Sequence, residues 1–169
     1  LMQFFFSPLL GRLSDKYGRR PILFFSLIGS AVGYLTLGLA NTLFLVFLGR
    51  IIGGVSGGNI STAQAYIADV TSKENRAKGM GLFGAAFGLG FILGPAIAGI
   101  LSKYGVNVPF YVAAALSLAN AIALYFILPE SLKPGARQNL PERKNRLLEL
   151  FDSLSDKAFR ELNIVYFLL

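Results

Sequence analysis

Chemistry in this sequence has to come from charge, because the usual catalytic and metal-binding side chains are missing. Among 169 residues there is no Cys and no His. Their absence removes disulfides, thiolate and imidazole metal ligands, and the commonest proton shuttle. Ser61 and Ser117 have no visible base, and the glycine-rich runs around Gly53 and Gly84 lie inside apolar stretches, where a nucleotide loop does not belong. Enzyme activity has little support, and no cofactor or metal is expected. Two features remain: Arg50, the sole ionisable side chain well inside an apolar run, and the charged decapeptide Gly11-Arg12-Leu13-Ser14-Asp15-Lys16-Tyr17-Gly18-Arg19-Arg20.

An arginine within a membrane span costs roughly 2.5–3.5 kcal/mol on insertion scales, so it must face protein or water. A helical wheel at ~100° per residue puts Gly54, Gly57, Ser61, Gln64 and Ala68 within about 40° of Arg50. That face is small and polar, as a cavity wall or a close-packed seam would be, and Gly57, Ser61 and Gln64 are the candidates to line such a cavity. The alternative is an arginine that snorkels to the outer interface, about two turns away. Asn59 points to the opposite face, as an interhelical hydrogen-bond donor would.

The elements around these residues are membrane-length helices. Apolar residues make up 54% of the chain, with 19 Gly and a mean hydropathy of +0.58. Pro21 to Ala40 is uncharged over 20 residues, about 30 Å of helix, which matches a hydrocarbon core. Pro21 sits in a first turn, where its missing N–H costs little. Leu43 to Ala68, Gly79 to Leu101 and Pro109 to Leu128 are three more such runs, joined by short connections. Leu1 to Leu10 reads as the end of a further span. The expected fold class is an all-α membrane protein.

Every cation except Lys103 and Arg50 falls in the first loop, in the third loop around Lys73–Lys78, or beyond Pro129. The positive-inside rule makes that side cytoplasmic. The net charge of +7 therefore follows membrane topology and does not point to nucleic acid. Residues 129–162 read as a cytoplasmic interdomain loop. Within it Leu147, Leu148, Phe151, Leu154 and Ala158 have the spacing of an amphipathic helix lying at the membrane surface or under the bundle. Residues 163–169 begin another apolar run, and Leu1 already stands inside one, so the chain is expected to be part of a longer protein.

The decapeptide reads as a ten-residue turn joining two antiparallel helices, with Gly11 and Gly18 supplying tight geometry. Asp69, where the Arg50 span reaches the same membrane face, could meet Arg19 or Arg20, with Asp15 as another acceptor. Such a cluster could hold neighbouring helix ends together in one state and release them in another. It must be partly buried to act so, because exposed pairs are worth only ~0–1 kcal/mol. Helix capping is the alternative role for Asp15 and Asp69. Further on, Ala86, Gly90, Gly94 and Ala98 form an i, i+4 row of small residues that lets another helix approach closely. Pro95 invites a bend there.

The pattern G-x-x-x-D-K-x-G-R-R resembles the signature loop between the second and third spans of the major facilitator superfamily. The segment L-G-R-I-I-G-G around Arg50 is similar to the fourth-span motif implicated in proton transfer. Gly81, Gly90, Gly94, Pro95 and Gly99 resemble the fifth-span antiporter motif, with Ala98 where glycine is usual. Y-I-A-D, E-N-R-A-K-G, G-P-A-I-A-G and L-P-E-S-L resemble the tetracycline-resistance branch of drug–proton antiporters.

The resemblance implies a twelve-span fold in two six-helix bundles, with residues 1–128 as the end of span two to span six. It implies a cytoplasmic gate from Gly11, Asp15, Lys16, Gly18, Arg19, Arg20 and Asp69, proton coupling through Arg50, and an interface with the other half at Gly94-Pro95. The implied partners are a small-molecule substrate, protons, lipid and the remaining half of the transporter, in a bacterial inner membrane. One departure stands out: the tetracycline exporters carry an acidic residue where this chain has Gly33, so no carboxylate lies within a complete span. The expected function is proton-coupled export of a drug-like or small-metabolite substrate. A facilitator-type uptake carrier or uniporter, and a non-transporting membrane scaffold, are the alternatives.

Overall fold

The computed structural model describes residues 2–132, which form six α-helices. They are α1 (Met2–Tyr17), α2 (Arg19–Gly38), α3 (Leu43–Ser56), α4 (Ile60–Val70), α5 (Arg76–Leu101) and α6 (Val108–Ile127). The expected interdomain loop beyond residue 132, its amphipathic helix and the run at 163–169 lie outside the described residues. Four helical stretches are long and apolar enough to cross a membrane: Arg19–Gly38, Leu43–Val70, Arg76–Tyr104 and Val108–Ile127. Among the described residues there is no strand.

The charged decapeptide is not the ten-residue turn that the sequence implies. Helix α1 runs through Gly11, Asp15 and Lys16 to Tyr17, and α2 starts at Arg19. The connection shrinks to Gly18, whose φ of 110° and ψ of 153° suit only glycine. The reason is local: residues 12–16 are all tolerated in a helix, and Asp15 pairs with Arg19 one turn on. Gly11 is an ordinary helical residue whose carbonyl accepts a 2.7 Å bond from Ser14 Oγ. The third loop tightens in the same way, so that Asp69 falls inside the last turn of α4, which ends at Val70, and Arg76 opens α5. Thr42 caps α3 by accepting from the Leu45 N–H.

Helix α2 is central, packing along α6 on one side and against α3 on the other. Its far end is tied to α6 by the Tyr111 hydroxyl, which donates to the Gly38 carbonyl at 2.8 Å. Its near end meets α6 through Phe24 and Tyr125, ring centroids 5.7 Å apart. Between α2 and α3 the backbones touch: a Cβ on Gly33 would stand 2.9 Å from Gly53 N and 3.2 Å from Gly49 O. Small residues gain contact here that lipid cannot supply, which is what drives helix association in a membrane.

The span that carries Arg50 is not one uninterrupted α-helix. A 3₁₀ turn at Gly57–Asn59 separates α3 from α4. A 3₁₀ turn advances ~120° per residue against ~100°, so positions after it no longer follow a wheel drawn from Arg50. Helix α5 carries Pro95 internally and has no buried residue among those described.

Candidate functional site

The decisive cluster gathers at one end of the bundle, where α1, α4 and α6 finish and α2 begins. Arg19 is its centre and is 9% exposed. Its Nε donates to Asp69 Oδ2 at 3.1 Å, its Nη1 donates to Ser14 Oγ at 2.7 Å, and the same nitrogen pairs with Asp15. One planar guanidinium thus holds the ends of α1 and α4 to the start of α2, which a single-point ammonium could not do. Asp15 and Asp69 sit in the last turns of their helices, where a carboxylate meets the negative end of the dipole. The capping role weighed for them is therefore not realised, and Arg19 compensates both charges. Arg20 does not join this cluster. Its guanidinium lies over the Tyr125 ring, 5.1 Å from the centroid, and donates to the Tyr125 carbonyl.

The α2 N-terminus is capped from elsewhere. Glu130, beyond α6, accepts the backbone N–H of Arg19 at 2.9 Å and of Arg20 at 3.3 Å. Ser131 Oγ donates to Asp69 Oδ2 at 3.1 Å, and Tyr66 Oη donates to the Pro129 carbonyl at 3.1 Å. The segment after α6 is therefore bound into the same network. The sequence does not single out Glu130 and Ser131 as site residues. L-P-E-S-L is a visible motif, but nothing in it names a partner 111 residues earlier in the chain. Arg76 completes this end by donating to the Ala68 carbonyl at 3.0 Å, closing the C-terminus of α4.

Arg50 lines a cavity of about 310 Å³ with Gln3, Ser30, Tyr34, Gly54 and Gly57. Among the described residues it makes no ion pair. Of the three cavity candidates, Gly57 lines this space and the other two do not. Ser61 accepts from Ser7 Oγ at 3.3 Å and sits against α1, while Gln64 is exposed. The 3₁₀ turn accounts for the change of face. Gly33 lines the same cavity, and its contact with Gly53 leaves no room for a carboxylate at that position.

On α5, an added Cβ at Gly81, Gly90, Gly94 or Gly99 would meet nothing within 4 Å. Phe83, Ala86, Phe87, Gly90, Phe91 and Pro95 line an open apolar groove of about 600 Å³. This row makes no close packing with the described helices.

A bundle of membrane-length helices, with a charged cluster at one end and a lone arginine in a span cavity, has the form of a multi-pass integral membrane protein. The family model described as Major Facilitator Superfamily matches residues 1–169, and the chain belongs to that superfamily. It is 41% identical over 143 residues to the tetracycline resistance protein, class C, of Escherichia coli, covering 85% of this chain and 36% of that protein. It is 37% identical over 141 residues to multidrug resistance protein 2 of Bacillus subtilis, covering 83% and 35%. The crystal structure of the human organic anion transporter MFSD10 (TETRAN) matches with a TM-score of 0.75 at 34% identity, covering 80% of this chain and 31% of that one. The chain thus spans about a third of the length of these relatives.

Proposed function

We propose that this chain forms part of a secondary active transporter that exchanges protons for a drug-like or small-metabolite substrate by alternating access. The observation that carries this reading is the Arg19 cluster. A buried guanidinium shared between the ends of three helices is a contact that can be made in one state and broken in another. Gly11, Asp15, Lys16, Gly18, Arg19, Arg20 and Asp69 then form the gate on the cytoplasmic face of a bacterial inner membrane. Arg50 supports proton coupling as a fixed positive charge, since a guanidinium does not itself release a proton. The open α5 face, with Gly81, Gly90, Gly94, Pro95 and Gly99, takes the remaining half of the transporter. Relatives named for tetracycline and multidrug resistance support export over uptake.

The test uses everted membrane vesicles bearing the transporter, with an imposed inside-acid gradient and a panel of amphiphilic compounds. Collapse of the gradient on addition of some compounds, lost in Arg50→Ala, is the expected result. Collapse that survives the substitution leaves the antiporter and removes Arg50 from coupling. No response to any compound overturns proton-coupled export.

A further inference from the structure

Arg20 stands apart from the cluster that employs Arg19, and its surroundings differ in kind. It lies in a cavity of about 360 Å³ between α2 and α6, together with Tyr17, Pro21, Phe24, Phe25, Tyr125 and Glu130. The walls are mainly aromatic and apolar, and they open outward: Phe25 is 69% exposed and Tyr125 54%. The groove sits where the span Arg19–Gly38 begins and the span Val108–Ile127 ends. That is the depth at which a bilayer passes from acyl chain to headgroup, and where tyrosines with one wet edge are at home.

Charge selects the occupant. Among the described residues Arg20 makes no ion pair, although Asp15 and Asp69 are both engaged one residue away by Arg19. Among the described residues its guanidinium donates to a backbone carbonyl, that of Tyr125, and lies over the Tyr125 ring. Glu130 lines the same groove, but its carboxylate accepts the backbone N–H groups of Arg19, Arg20 and Leu132, so its charge is met by the α2 N-terminus. Lys16 adds a second cation over the Tyr17 ring, 5.3 Å from its centroid.

We propose that this groove is a binding site for an anionic glycerophospholipid, its phosphate on Arg20 and one acyl chain along Pro21, Phe24 and Phe25. The guanidinium fork suits phosphate oxygens, and its contacts with the Tyr125 ring and carbonyl hold it in the groove in advance. A lipid held there is anchored one residue from Arg19, in the groove that Glu130 also lines. Its occupancy therefore stabilises the arrangement of α2 and α6 that supports the charged cluster.

The test places the protein in nanodiscs of phosphatidylcholine with or without phosphatidylglycerol and reads its thermal unfolding. Phosphatidylglycerol is expected to raise the midpoint, and Arg20→Gln to abolish that rise while Arg12→Gln retains it. The rise surviving in Arg20→Gln, or falling equally in both variants, overturns the site and leaves only diffuse attraction to an anionic surface. Inorganic phosphate is expected to give no rise, and an equal rise overturns the lipid assignment. Native mass spectrometry of the unaltered protein provides a second reading that no folding defect can confuse. From an equimolar mixture it should retain phosphatidylglycerol over phosphatidylcholine by about tenfold or more, the size of a charge-assisted bond. Equal retention overturns the proposal.

Discussion

The carboxylate of Glu130 accepts the backbone N–H of Arg19 at 2.9 Å, across 111 residues of sequence. Gly18 has no side chain to cap α2, so the residue that satisfies its free N–H groups arrives from the far end of the bundle. The helix start is thereby tied to the end of α6, and the same residue whose backbone is capped sends its side chain to Asp69.

Removing that cap should loosen the charged end. Glu130→Ala is expected to lower stability by about 0.5–2 kcal/mol, the ordinary cost of losing an N-cap. Glu130→Gln keeps an oxygen acceptor and should lose less. Thermal and denaturant unfolding in detergent, followed by circular dichroism, ranks the three proteins. Equal stability of all three would mean that the α2 N-terminus is satisfied by water.

Arg19 and Arg20 are adjacent and alike in sequence, yet should behave differently. Arg19→Ala leaves Asp15 and Asp69 facing each other without a cation. Breaking a fully buried pair costs about 3–5 kcal/mol, and because these carboxylates are about a third exposed, roughly 1–3 kcal/mol is expected here. Arg20→Ala in detergent forfeits chiefly a cation–π contact, about 0.5–1 kcal/mol. The order of the two midpoints decides it, and a larger loss for Arg20 would contradict the cluster.

The two glycines of the decapeptide should respond differently to alanine. At Gly18 a side chain is forced into a backbone region that costs about 1–3 kcal/mol, so Gly18→Ala should destabilise. At Gly11 a Cβ would meet Ser61 Oγ at 3.5 Å, an ordinary contact, while alanine improves helix propensity by up to about 1 kcal/mol. Gly11→Ala should be neutral or stabilising. Comparing the two midpoints by thermal unfolding checks the contrast.

A similar pair probes the α2–α3 crossing. Gly33→Ala drives a methyl into the backbone of Gly53 and should cost about 1–3 kcal/mol. Gly53→Ala adds a methyl that meets nothing within 4 Å and should be tolerated. Denaturant titration in micelles compares them, and similar losses in both would show that the two helices separate more easily than their packing implies.

The sequence alone determined the helical spans, because uncharged runs such as Pro21 to Ala40 are long enough to cross a bilayer and nothing else satisfies their backbone there. It also marked Arg19, Asp69 and Arg50, since a charge beside or inside apolar sequence is costly enough to need a reason. What it could not determine was partnership and phase. Both arginines have an acid nearby in sequence, since Asp15 lies four residues before Arg19 and five before Arg20, and only the placement of α4 and α6 gives Arg19 a second carboxylate in Asp69 and Arg20 a tyrosine ring. Ser61 left the Arg50 face because a three-residue 3₁₀ turn shifts the helical phase, a change of backbone that side-chain periodicity does not record. Glu130 became a cap only when α6 ran antiparallel to α2 and brought its end to the other helix's start. Hydropathy is a local quantity and reads from the chain, whereas hydrogen-bond partners 50 to 111 residues apart exist only once the helices have packed.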